Sequence, residues 1–278
     1  MATDRQKALR DGDAKIPFED ALARQRLTAQ RNIVRTAARQ FASSGSAQIR
    51  ELSETLMGPI LADHYDQVRG RFDSTLRVEL PPEAAMTDEE SDTLEEALAA
   101  FLAARALTQA ATIAETDQAD ADLARLVMRA EVDRVQESEG RAIGRNEAAV
   151  IGASVLERRM RGRLSGIASF ETQAVAELSK EAEARTLIGL SPIPDSSPPP
   201  PVSLPVKLWV TMGDSRVRTI HQVADGQEVP ASDPFTVGGE RLMYPGDTSL
   251  GASAGNVVNC RCSASHDVRK IAQMRSSL

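Results

Sequence analysis

The apolar positions recur with a helical period over most of the chain and give way to short β-prone runs near its end. Placed at about 100° per residue, Ala23, Leu27, Ile33, Val34, Ala37, Ala38 and Phe41 share one side of a first helix. Arg24, Arg31, Arg35 and Arg39 form a narrow stripe beside that side, while Arg26 and Gln30 fall within it, so the apolar face is mixed. "SSGS" at 43–46 and Pro59 are expected to interrupt the pattern. A second helical block opens where Thr87 and Glu90 have the spacing of a capping box, followed by an apolar face of Leu94, Ala97, Leu98, Phe101 and Leu102. Leu123, Leu126, Val127 and Val132 are expected to carry the core further along. Another helix or helix pair is predicted over 146–188, and its basic run "ERRMRGR" reads as a solvated face. No heptad repeat is sustained, which predicts a helical bundle or an extended helical hairpin rather than a long coiled coil.

The end of the chain reads differently. "KLWVT" is short, apolar and β-prone, and "DSRVRTIHQVADG" follows it with Asp214 as a helix N-cap and Gly226 as its stop. Two β-like runs flank Gly238-Gly239, whose missing Cβ atoms permit the positive φ of a tight hairpin; "YPGD" then makes a turn, and "NVVNCRC" is a last β-prone run. Between the two regimes lies "SPIPDSSPPPPVSLP", in which prolines remove donors and favour extended geometry, so it reads as a semi-rigid spacer. The expected fold class is α+β: a helical region over 1–189, a proline-rich linker over 190–205, and a small α+β domain with an antiparallel sheet over 206–278.

Composition narrows the function classes. With 41% apolar residues the 278-residue chain can bury a core, but only 3% are aromatic, which disfavours a deep aromatic-lined pocket. A net charge of -7 disfavours a general nucleic-acid coat. Locally, the first 50 residues hold ten Lys/Arg against five Asp/Glu, so the arginine stripe suits an acidic protein surface or phosphates. Its sparse spacing favours the protein surface, with Leu27, Val34 and Phe41 supplying buried contact. No apolar run reaches the length of a bilayer span and the N-terminus has no apolar signal core, so the expectation is a chain made in the cytoplasm with no membrane partner.

The chain's two cysteines stand one residue apart in "NCRC", as Cys260 and Cys262. On a helix, Asp214, Arg218, His221 and Asp225 would share one face, pairing Asp214 with Arg218 and His221 with Asp225. On a strand, both thiols would point to one side and could meet that face. Four uses are then open. Zinc on His221, Asp225, Cys260 and Cys262 needs sulfurs about 3.7 Å apart, whereas alternate strand residues sit nearly 7 Å apart, so the strand would have to bend. A disulfide meets a similar geometric objection, and a reducing cytoplasm opposes it. A Cys nucleophile with His221 as base and Asp225 as orienter fits triad roles. The fourth use, buried structural thiols beside a satisfied core histidine, is the one adopted, with zinc as the alternative to having no cofactor. Trp209 is read as a core anchor and His64 as a surface residue, with His266 a possible fourth ligand if metal is present. Ion pairing with Asp214, Asp225 or Asp247 is the expected use of Arg216, Arg218 and Arg261.

The order of these residues resembles the C-terminal domain of the phage Mu F-like minor head proteins, also called phage head morphogenesis proteins. The resemblance covers 207–262 and combines Trp209, the helix pattern Asp214, Arg216, Arg218, His221, Asp225, Gly226, then Phe235 before the hairpin, the turn Tyr244, Pro245, Gly246, Asp247, and the terminal Asn259, Cys260, Cys262. It implies a minor structural protein of the virion head that meets capsid or portal proteins near the portal, with packaged DNA as a further contact, and brings no settled catalytic activity. The alternative from another class is a metal-dependent or Cys-based hydrolase acting during head maturation.

Overall fold

The structure, a computed structural model, describes residues 4–72, 76–194 and 204–276. The fold is α+β, helical for most of its length, with short antiparallel strands towards the C-terminus, as the sequence predicts. Long helices α1 (Asp4–Ser44), α2 (Arg50–Phe72), α3 (Asp88–Glu139), α4 (Arg145–Gly162) and α5 (Leu164–Leu187) come first. They are followed by β1 (Val206–Val210), α6 (Thr219–Ala224), β2 (Glu228–Pro230), β3 (Phe235–Val237), β4 (Glu240–Leu242), α7 (Ala254–Val257), β5 (Ser263–His266) and α8 (Val268–Arg275).

Local chemistry explains several boundaries. Gly45 at φ 71° follows the end of α1, a left-handed position that suits glycine. The capping box at the start of α3 forms as expected: the Glu90 backbone N–H donates to Thr87 Oγ1 (3.2 Å) and the Thr87 N–H to Glu90 Oε2 (2.8 Å). Pro59, expected to break a helix, instead lies inside α2, where it removes one donor at an exposed position without ending the element.

The chain divides into two compact units. One comprises Asp20–Asp63 and Ala104–Ile167, with a core of Ile33, Ala37, Phe41, Ile49, Ala121, Ala124, Met128, Leu156 and Met160 among others. Leu123, Leu126 and Val127 are not in it; they are 38%, 55% and 40% exposed, and Val132 is half-buried. The helix instead turns Asp117, Ala121, Ala124 and Met128 inward, because alanines admit close neighbours and Asp117 answers buried cations. Asp117 accepts from Arg26 (3.4 Å), Arg163 (2.9 Å) and Ser53 Oγ (2.6 Å), while Gln30 donates to the Glu157 carbonyl (2.9 Å). The two polar residues that marred the apolar face of α1 are thus buried and partnered. Part of "ERRMRGR" is likewise engaged rather than solvated, since Arg159 and Arg163 both bond Asp120.

α3 also contains an 18-residue window of mean hydropathy 1.4, long and apolar enough by length and composition to cross a membrane, contrary to the expectation that no such run exists. With 33% of it buried in the molecule, it passes a test that core helices also pass.

The second unit comprises Met1–Glu19, His64–Ala103 and Ala168–Leu278. Its sheet has the order β2-β1-β5, with Leu208 opposite Glu228 on one side and Ser265 on the other. β3 and β4 form the predicted hairpin, Val237 facing Glu240 across Gly238 and Gly239 at φ 59° and 84°. The boundary expected at the prolines is not where the units part. Residues 195–203 of that tract lie outside the described residues, and the chain on either side of it belongs to one unit.

The cause is α5, which is buried on all sides from Glu171 to Leu187 although many of its residues are polar. Ser179 and Thr186 bond carbonyls of the helix itself, and most of the charged groups meet partners elsewhere in this unit. Glu177 accepts from Lys15 (2.7 Å) and from the Ala264 backbone N–H (2.9 Å), and Lys180 donates to Asp11 (2.9 Å) and Ser263 (2.6 Å). Lys207 on β1 donates to Glu181 (2.7 Å), and Glu183 accepts from the Leu76 and Arg77 backbone N–H groups (3.0 Å each). Burial alone would raise the Glu177 carboxyl; Lys15 and Lys180 outweigh it and hold it down to about 2.

Candidate functional site

Trp209 on β1 is fully buried and anchors a core with Ala224, Phe235, Val237, Leu242, Val257, Cys260, Cys262 and Ala264. His221 and Phe235 meet its ring edge to face, at centroid distances of 5.6 and 5.3 Å. Trp209 is the core anchor the sequence predicts.

His221 enters this core from α6, which is shorter than expected. Asp214 is not its N-cap: its carboxylate accepts from the Arg216 N–H (3.0 Å) and pairs with Arg261 (2.6 Å), and Arg218 occupies the cap position instead. Arg218 therefore does not pair with Asp214 but donates to the Val258 carbonyl. The helix ends at Ala224, so Asp225 lies past it, accepts from the Thr211 N–H (2.7 Å) and does not reach His221. Gly226 follows at φ 80°, as a helix stop should.

The cysteines do not lie on a strand. α7 ends at Val257, Asn259 adopts φ 56°, and β5 begins at Ser263, so the segment bends between them. That bend removes the geometric objection. His221 Nδ1 lies 3.3 Å from Cys262 Sγ and 3.6 Å from Cys260 Sγ, and the ligand atoms of the three residues are all within 4.8 Å of one another. Both thiols are free and buried, so no disulfide joins them. Neither Asp225 nor His266 belongs to this metal-compatible group.

Asn256 on α7 takes the place foreseen for Asp225. Its Oδ1 is 2.8 Å from His221 Nε2, and its Nδ2 donates to the Val237 carbonyl (2.8 Å) and to Glu240 Oε2 (2.9 Å). With both amide hydrogens committed, Oδ1 faces the ring and Nε2 carries the proton, which leaves Nδ1 directed at the sulfurs. No sequence spacing singled out Asn256, which lies in a helix of only four residues.

The two thiols are shifted in opposite directions by their shared bond. A hydrogen bond from Cys262 and the contact with His221 outweigh burial and hold Cys260 down to about 5. Sharing that bond, and being buried, raises Cys262. Burial opposes the imidazolium, but Cys260 and Asn256 together raise His221. A small recess of about 10 Å³, the room of one water, opens beside the group between Arg216, Val217, Arg218, Asn259 and Arg261.

No family model, curated protein or solved structure matches the chain. The likeness to Mu F-like head proteins therefore rests on residue order alone.

The rest of that motif has structural employment. Pro245 and Gly246, the latter at φ 92°, form a turn closed by the Asp247 N–H to the Tyr244 carbonyl (3.0 Å), where glycine supplies the positive φ. A Cβ on Gly246 would lie 3.5 Å from the Ala174 backbone of α5. Asp247 accepts from the Met243 and Ser249 N–H groups, and Gln173 of α5 donates to the Cys262 carbonyl (2.7 Å). Asp247 is thus a turn cap and not an arginine partner.

The remaining expectations divide. Arg24, Arg31, Arg35 and Arg39 are exposed, as read. Leu27 and Val34 are half-buried, and Phe41 is 3% exposed and already packed in the core of its unit, so it is not free to dock. His64 is buried, not superficial, with Nε2 3.0 Å from Thr172 Oγ1. His266 sits on β5, its Nε2 3.7 Å from Glu181, and burial pushes it down to about 3, so it is neutral.

Proposed function

We propose that this chain is a minor structural protein of a tailed-phage head, acting by binding capsid or portal proteins rather than by turnover. The observation that carries this reading is the convergence of the residues that resemble the Mu F-like pattern. Trp209, Phe235, Cys260 and Cys262, spread over the C-terminal sequence, share one closed core, and His221 packs edge-on against Trp209. Such use of a motif fits a module whose shape is its product, and the recess beside the cluster, at about 10 Å³, has room for a water and not for a substrate.

Contact with the shell falls to the exposed stripe of Arg24, Arg31, Arg35 and Arg39, without Phe41. Because exposed pairs contribute only about 0–1 kcal/mol each, the half-buried Leu27 and Val34 must add apolar contact. The test is co-expression of the full chain with the portal and major capsid proteins of the same genome, with crosslinking mass spectrometry of purified particles. Incorporation, and its loss when the four arginines become serine, is expected. Particles of normal composition that exclude the chain overturn the reading, as does tight duplex-DNA binding whose steep salt dependence accompanies no affinity for shells.

A Cys-based hydrolase is favoured by one feature, the line Cys260, His221, Asn256 with a lowered thiol. Cys260 is only 2% exposed, which opposes it. Rapid alkylation of Cys260 in the native, metal-free protein supports that reading, and slow alkylation removes it.

A further inference from the structure

We infer that His221, Cys260 and Cys262 form a zinc site with three protein ligands and one solvent position. Asp225, assigned to such a site by spacing, is replaced by water. The donor set is two thiolates and an imidazole, which suits zinc among the common divalent ions. The distances fit. Bonds of about 2.3 Å to sulfur and about 2.0 Å to nitrogen place neighbouring ligand atoms of a tetrahedron about 3.5–3.7 Å apart. His221 Nδ1 stands 3.3 and 3.6 Å from the two sulfurs, close to those edges, and all three ligand atoms lie within 4.8 Å of one another.

The second observation is the support behind the histidine. A metal-bound imidazole ordinarily donates its other N–H to a fixed acceptor. Asn256 is that acceptor, and it is locked by its own bonds to Val237 and Glu240. This arrangement spends two further groups to hold one imidazole tautomer with Nδ1 towards the sulfurs, more than a merely space-filling histidine requires. The cysteines are positioned independently: the left-handed Asn259 turns the chain before Cys260, and Gln173 holds the Cys262 carbonyl.

The fourth position falls to the recess that His221, Cys260 and Cys262 line, whose volume of about 10 Å³ admits one water. Binding displaces one proton from each thiol that is still protonated, or from the imidazole where it holds that proton, and releases it to solvent. With α6 on one side and the bend before β5 on the other, zinc joins two segments that no disulfide links. This inference does not depend on the assignment to a phage head.

The test uses the full-length chain, purified under reducing conditions from zinc-supplemented cells. Elemental analysis is expected to give one zinc per chain. Exchange with cobalt should give the visible bands of a tetrahedral ion together with thiolate charge-transfer absorption. Cys262→Ser should lose the metal, Asp225→Asn should keep it, and Asn256→Ala should weaken zinc affinity about 10–100-fold in chelator competition. Should Cys262→Ser fail to fold, cobalt uptake by the reduced wild-type chain still decides. Folded, reduced wild-type protein that takes up neither zinc nor cobalt stoichiometrically overturns the site. Full-affinity zinc in a folded Cys262→Ser variant overturns it as well, as does an intact mass showing Cys260 and Cys262 oxidised to a disulfide in the freshly isolated protein.

Discussion

Asp225 and Asn256 exchange the roles that spacing would give them. Asp225 caps β1 by accepting from the Thr211 N–H at 2.7 Å, a bond to a charged acceptor. Asp225→Ala is therefore expected to lower stability by about 1.5–3 kcal/mol while leaving the reactivity of both thiols unchanged, and Asp225→Asn to restore most of the loss. Urea midpoints and native thiol titration check both halves; a changed thiol titration with unaltered stability would return Asp225 to the cluster. The convergence of His221, Cys260 and Cys262 was legible because each is chemically rare in this chain and each lies in a β-prone or helical run. Asn256 was not, because its role depends on α7, a helix of four residues that has no periodicity to read. The same limit displaced the start of α6: Asp214 looks like a cap, yet its carboxylate turns back to the Arg216 N–H and leaves Arg218 at the boundary.

At the scale of elements, α5 departs furthest from its sequence pattern. A helix bearing Glu171, Glu177, Lys180, Glu181, Glu183 and Arg185 reads as having a solvent face, yet all of these are buried. Their partners are far along the chain, so no local periodicity announces them. The pair Glu181–Lys207 states the energetic problem most plainly. The two meet at 2.7 Å with both side chains fully buried, while burial pushes the carboxyl up and the ammonium down. Such a pair contributes little net stability, but losing one member strands the other. Lys207→Met should cost about 3–5 kcal/mol, and adding Glu181→Leu should recover much of it. A denaturant double-mutant cycle measures this. A single variant within about 1 kcal/mol of wild type would mean that water already solvates Glu181. In α3 the misreading has the opposite sign: Leu123, Leu126 and Val127 looked like core, and alanines with Asp117 took their place because close approach and ion pairing govern that face.

At the scale of the whole molecule, the change from helical to β-prone patterning was legible, and the partition of the core was not. Prolines report where a chain is extended; they carry no information about which side chains pack together. Across the proline tract, α5 is joined to the C-terminal strands by Lys207–Glu181, by Ser263 and the Ala264 N–H on Glu177, and by Gln173 on the Cys262 carbonyl. Each of these groups is buried, so the helix and the strands close one core across the tract, and removing either side leaves the polar groups of the other without their partners. The C-terminal segment should therefore not behave as an independent module, although its sequence suggests one. The expected outcome of inserting a protease site after Pro200 and cutting there is a nicked protein that keeps its circular dichroism and elutes as one species. Its two pieces should part only in denaturant. Expressed alone, residues 206–278 should lack the cooperative unfolding of the full chain, because Lys207 and Ser263 would have lost the helix that answers them. Two pieces that separate under native conditions, with the C-terminal piece still folded, would show that the buried polar contacts of α5 are replaceable by water and would restore the proline tract as a domain boundary.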